Sequence, residues 1–152
     1  MSQNIPTAGI SATISSSGYR ATVGSVGASL RSLTFDDGEL IVSVDDDTIP
    51  PAFHGAILVP WPNRLAGGKY HWEGSDYQAA INEPERENAN HGLAVWLDWE
   101  LLDHSESEMR WATTVPAQPS YPSPLRIESH YEVGLSGVSW CVSATNIGRI
   151  PA

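Results

Sequence analysis

One cysteine, Cys141, is all that the 152 residues contain, so no internal disulfide can staple the chain. It sits inside an alternating apolar segment, which predicts a buried structural thiol and not a reactive one. Basic residues are also scarce: eight Lys and Arg stand against 18 Asp and Glu, for a formal charge of -10. The eight are scattered from Arg20 to Arg149 and form no patch, which argues against a nucleic-acid partner and against anionic membrane surfaces. An anionic small molecule stays possible, because one well-placed Arg can hold it against an unfavourable field. No apolar run approaches the roughly 18 residues of a membrane span. The first twenty residues, rich in Ser, Thr and Gly, lack the charged start and apolar stretch of a signal peptide, so a cytoplasmic location is the default expectation. His54, His71, His91, His104 and His130 show no zinc-ligand spacing, and no phosphate-cradling glycine motif or nucleophile elbow is present.

Amphipathic helices are missing too, and alternation takes their place. Ile10, Ala12 and Ile14, a Ser-Ser-Ser-Gly turn at 15–18, and Tyr19, Ala21 and Val23 read as a hairpin. Leu30 to Phe35, the turn Asp36-Asp37-Gly38, and Leu40 to Val44 predict a second. Tyr70 and Trp72, a turn at Glu73 to Asp76, and Tyr77 predict a third, and Met109 to Val115 another strand. Leu125, Ile127, Ser129, Tyr131 and Val133 alternate with Arg126, Glu128, His130 and Glu132; Val138, Trp140, Val142 and Ala144 repeat the pattern after Gly134 to Gly137. With 11 Pro and 13 Gly between such strands, the pattern predicts a single all-β domain over 1–152, a sandwich or barrel of antiparallel sheets. Only six residues follow Asn146, which reads as a sheet cut short there.

One stretch, Gly55 to Trp99, concentrates residues suited to a binding site. Pro60 and Pro62 stiffen the backbone about Trp61 and present Asn63 and Arg64 from a fixed loop. Further on lie Asn88-Ala89-Asn90-His91-Gly92-Leu93 and two more tryptophans, Trp96 and Trp99. Arg64 supplies up to five donors, Asn63 both donors and acceptors, and neutral His91 one of each. That palette, with flat Trp walls, suits the hydroxyl rim and C–H face of a sugar. Two uses of Arg64 remain open: ligand binding, or an ion pair with Glu83 or Glu85 that locks two loops. His91 has the simpler alternative of a loop histidine bonded to backbone. Most of the six Trp are expected in the core, and Asp45-Asp46-Asp47 in a solvated turn.

Residues 55–70, Gly-Ala-Ile-Leu-Val-Pro-Trp-Pro-Asn-Arg-Leu-Ala-Gly-Gly-Lys-Tyr, resemble the Pro-x-x-Asn-Arg signature of the aldose 1-epimerase (galactose mutarotase) family and the glycine-turn strand after it. Asn88 to Leu93 resembles that family's Asn-x-x-His-Gly-Leu motif, at the usual downstream distance. A weaker likeness extends from Leu30-Arg31-Ser32-Leu33 to the Tyr131 strand and Val142 to Asn146.

The resemblance implies a large antiparallel β-sandwich of the galactose mutarotase type, here incomplete at its C-terminal side. It implies interconversion of α and β anomers of free aldoses, with no metal or organic cofactor. A carboxylate takes the C1 hydroxyl proton, a histidine protonates the ring oxygen, and the opened ring recloses on the other face. Arg64 and His91 match the family's sugar-binding Arg and first His, and Asn63 precedes the Arg in its motif. The segment at Asn146-Ile147-Gly148 is followed in related sequences by a His-Pro-Tyr or His-x-Tyr motif with the acid, and the base Glu comes much later. Neither falls within 1–152, and none of His104, His130, Glu128 or Glu132 occupies a matching position. Residues 1–152 are therefore expected to carry substrate-binding groups without the acid and base. The alternative is a non-catalytic carbohydrate-binding or sugar-sensing sandwich. A phosphorylated sugar would want further cations near its tail, and Arg64 and Lys69 do not decide that.

Overall fold

The computed structural model describes residues 5–152. Four antiparallel strands in chain order make the first sheet: β1 (Ser11–Ser16), β2 (Tyr19–Gly24), β3 (Ser29–Phe35) and the two-residue β4 (Gly38–Glu39). Two small pairs follow, β5 (Arg64–Ala66) with β8 (Asn88–Asn90) and β6 (Lys69–Trp72) with β7 (Ser75–Gln78). The second large sheet takes β9 (Glu100–His104), β10 (Glu108–Val115), β11 (Leu125–Gly134) and β12 (Gly137–Asn146), in the order β12-β11-β10-β9. Among the described residues no helix is long and apolar enough to cross a membrane.

The three expected hairpins form around two-residue turns. Both central residues have positive φ in each: Ser17 and Gly18, Asp36 and Asp37, Glu73 and Gly74. Such primed turns match the right-handed twist of the flanking strands. The second hairpin is shorter than its pattern. Beyond Glu39 the chain keeps only separate bonds to β3, from Leu40 N–H to the Leu33 carbonyl and from Val44 N–H to the Arg31 carbonyl. Leu40 and Val42 are exposed, so no buried face holds this segment in a ladder. The buried Arg31 side chain instead donates Nη2 to the carbonyls of Asp45 and Thr48, which fastens the acidic turn as a loop.

The core lies between the two large sheets. Ile14, Ala21, Val23 and Leu33 of the first meet Met109, Trp111, Ile127 and Tyr131 of the second. Tyr131 reaches across to donate its hydroxyl to the Ala28 carbonyl at 2.9 Å, and burial pushes its pKa well up. β11 buries every second residue from Leu125 to Val133, as its alternation requires.

β12 departs from expectation. Its register sets Trp140 opposite Tyr131 and Val142 opposite Ser129, on the core side, yet both remain about two-fifths exposed because little of the first sheet reaches over this edge. Trp140 is held from within its own sheet, stacked on Tyr131 at 5.2 Å with its indole N–H donated to Ser129 Oγ at 2.9 Å. Cys141, on the opposite face of β12, is exposed, which corrects the buried thiol read from alternation alone. The tryptophans need the same correction. Trp99 and Trp111 are core, whereas Trp72, Trp96 and Trp140 are exposed.

Candidate functional site

The three residues singled out in the sequence come together. β5 begins at Arg64, β8 ends at Asn90, and the register pairs those two positions. Asn63 and His91 therefore face each other where the ladder opens. The Asn63 backbone N–H donates to His91 Nδ1 at 3.2 Å, and the His91 backbone N–H donates to the Asn63 carbonyl at 3.0 Å. Asn63 Oδ1 accepts from the Arg64 backbone N–H at 2.9 Å.

Both loop residues have positive φ, Asn63 at 106° and His91 at 64°. Conformations of this kind cost non-glycine residues on the order of 1–3 kcal/mol and persist where surrounding contacts over-determine them. The contacts here are visible. The Val59 carbonyl accepts from the N–H groups of Leu93 and Ala94 at 2.7 and 3.1 Å, which stitches the His91-Gly92-Leu93 segment to the start of the Pro-Trp-Pro loop. Gly92 is needed at φ 73°, because a Cβ there would lie 2.2 Å from the Val59 carbonyl oxygen.

Arg64 is held by a fork. Its Nε and Nη2 donate to the two oxygens of Glu83, each at 2.7 Å, in the bidentate arrangement that fits guanidinium to carboxylate. Asn88 Nδ2 donates to the same carboxylate at 3.0 Å, and Arg86 approaches at 3.4 Å. These donors, Arg64 foremost, hold the Glu83 carboxyl down to about 2. Of the two acidic partners open in the sequence, Glu83 is the one engaged, and the Arg64 side chain is still 40 % exposed along its remaining edge. Partial burial, then the nearby Arg64 charge, lowers the His91 pKa, with Glu83 working weakly against them. With Nδ1 accepting from Asn63, the neutral ring carries its proton on Nε2.

Phe53 belongs to this site, although nothing in the sequence pattern marks it. Its ring packs edge-on against His91, centroids 4.6 Å apart, and lies 5.5 Å from Trp96. Three other histidines are engaged elsewhere: His71 with Asp76, His104 with the Thr13 carbonyl, His130 with Glu108.

Comparison with known proteins agrees with this fold. The family model described as aldose 1-epimerase matches residues 11–152. The uncharacterised protein YihR of Escherichia coli (strain K12) is 33% identical over 150 residues, which cover 98% of this chain and 49% of that protein. Among solved structures, a galactose mutarotase-like protein from Clostridium acetobutylicum superposes with a TM-score of 0.77 at 17% identity, covering 90% of this chain and 46% of its own. The galactose 1-epimerase of Lactobacillus acidophilus NCFM superposes with a TM-score of 0.73 at 19% identity, covering 88% and 43%. The architecture is thus an antiparallel β-sandwich of the galactose mutarotase kind. The chain belongs to the aldose 1-epimerase family. It spans about half the length of the curated relative it matches.

Proposed function

We propose that this chain supplies the sugar-gripping side of an aldose 1-epimerase, with Asn63, Arg64 and His91 contacting an aldose whose anomers the full-length protein interconverts. The reciprocal bonding of Asn63 and His91 beside the clamped Arg64 carries this reading. It leaves a neutral imidazole presenting Nε2–H and a guanidinium edge on one small surface, both donors, and a sugar ring offers hydroxyl and ring oxygens to accept from them.

In this reading Arg64 and His91 hold and polarise substrate oxygens, and Asn63 fixes the imidazole. Proton transfer at C1 and at the ring oxygen falls to groups outside 1–152, since no residue of this stretch matches the family's acid or base. The test is polarimetry of freshly dissolved α-D-galactose and α-D-glucose. The full-length protein is expected to speed anomerisation, with Arg64→Ala raising KM or abolishing turnover, whereas residues 1–152 alone leave the spontaneous rate unchanged, because loss of each proton-transfer group removes about 10²–10⁴ in rate. Full anomerisation by residues 1–152, or an Arg64→Ala enzyme that behaves as wild type, would overturn the assignment.

A further inference from the structure

Ahead of the Pro-Trp-Pro loop, Ala52 and Phe53 both lie in the left-handed region, at φ 50° and 60°. Neither is the glycine or asparagine that such positions favour, and each carries a Cβ that opposes the conformation. Two bonds shape the turn, from the His54 N–H to the Pro51 carbonyl at 3.0 Å and from the Ala56 N–H to the Phe53 carbonyl at 3.1 Å. Its far end is tied to β3, where the Leu30 N–H donates to the Gly55 carbonyl at 3.0 Å. Core burial does not explain the strain. The Phe53 side chain stands outside the central cluster and forms part of the wall of a cavity of about 290 Å³. What the turn achieves is to lay the Phe53 ring against the imidazole of His91, centroids 4.6 Å apart and planes at 64°.

We infer that Phe53 is a positioning residue of the aldose site, holding the His91 ring at the angle from which its Nε2–H meets the sugar. A hydrogen bond to Nδ1 fixes one atom of the imidazole and leaves its plane free to turn about that atom. A second ring packed nearly perpendicular removes the freedom, because turning the imidazole breaks the edge-to-face contact. His91 is thus held at two places, by the Asn63 backbone N–H at Nδ1 and by Phe53 across the ring. Phe53 in turn lies 5.5 Å from Trp96, with planes at 45°. Its ring also keeps water from part of the imidazole, in the same direction as the lowered His91 pKa. Burial is the first cause of that lowering and Arg64, at the start of β5, the second, with Glu83, ahead of β8, opposing them. The inference rests on the sugar-binding reading of His91, because it assigns a further residue to that same site.

The experiment compares full-length wild type with Phe53→Tyr, Phe53→Leu and Phe53→Gly, by ¹⁵N-resolved titration of His91 and by calorimetric binding of D-galactose and D-glucose. Phe53→Leu keeps apolar bulk and removes the ring. Phe53→Gly keeps the turn, since glycine takes φ 60° without strain, so loss of the ring is separated from loss of the local fold. In both variants the His91 midpoint should rise towards 6.5 and the Nε2–H form should mix with Nδ1–H. Sugar binding should weaken about two- to tenfold, the span of one aromatic pair. Phe53→Tyr retains the ring and should match wild type in all three respects. A side chain that only packs the turn would move the denaturation midpoint and leave the titration and tautomer of His91 alone. Should sugars bind the wild type while either the His91 spectra or the affinities stay unchanged in both Phe53→Leu and Phe53→Gly, this inference alone falls. If no sugar binds the wild type, the sugar-binding reading falls, and this inference with it.

Discussion

Asn63 and His91 exchange hydrogen bonds, backbone N–H to Nδ1 at 3.2 Å one way and backbone N–H to carbonyl at 3.0 Å the other, so the ring of one residue is set by the main chain of its neighbour. The tautomer follows from this pairing. In ¹⁵N-resolved spectra His91 should show Nε2–H near neutral pH and titrate below 6.5, the direction imposed by burial and by Arg64. The unfolded chain then binds the proton more readily than the folded one. Stability from His91 is therefore present above pH 6.5 and is lost as pH falls through the lowered folded value. An Nδ1–H tautomer, or a midpoint above 6.5, would contradict the arrangement.

Arg64 depends on Glu83 in the same way that His91 depends on Asn63. Replacing Glu83 by Gln removes the fork and, on the proposed sugar-binding role of Arg64, should weaken aldose binding severalfold, although Arg64 itself is untouched. Arg64→Lys cannot make both bonds, and the Glu83 carboxyl should move from about 2 towards its ordinary 4.5. In wild type the Glu83 share of stability is complete above pH 4.5 and disappears between 4.5 and about 2. Carboxyl-resolved NMR titration of wild type and Arg64→Lys reads both values.

Gly92 offers a sharper test of the loop. Alanine would bring Cβ to 2.2 Å from the Val59 carbonyl oxygen, at a φ that L residues disfavour. Gly92→Ala should cost more than about 1 kcal/mol and displace His91, seen as a lower denaturant midpoint together with a loss of the Nε2–H tautomer. Unchanged stability would mean that the Val59 contacts do not hold this segment.

Cys141 should react stoichiometrically with a thiol reagent in the native state, without denaturant, since β12 carries it on an exposed face. Labelling that appears only after unfolding would restore the buried position that its alternating neighbours suggest.

That contrast shows what a sequence can and cannot reveal in this fold. Turns with left-handed residues are local, so Ser17-Gly18 and Glu73-Gly74 are readable, and so is the alternating face of β11. Burial of a strand depends on what lies across from it. β12 has the same alternation as β11, and only the reach of the first sheet distinguishes them. The pairing of β5 with β8 spans more than twenty residues of intervening chain, and neither three-residue strand has a period long enough to notice. The grouping of the candidate residues Asn63, Arg64 and His91 is legible, because they lie in compact motifs that the β5–β8 pairing brings side by side. Its internal wiring is not: the choice of Glu83 over Glu85, and the packing of Phe53 on His91, arise from loops meeting in space.

β12 also has an open long side, because β11 is its only neighbour in the sheet among the described residues. In an antiparallel ladder, successive residues of an edge strand turn their amides alternately inward to the neighbour and outward to water. Over the ten residues from Gly137 to Asn146 this divides the backbone into two interleaved sets. Deuterium uptake along β12 should therefore rise and fall with a period of two, slow where β11 accepts the amide and fast at the next position. Any strand that came to lie along this edge would flatten that comb, reporting its arrival without a label.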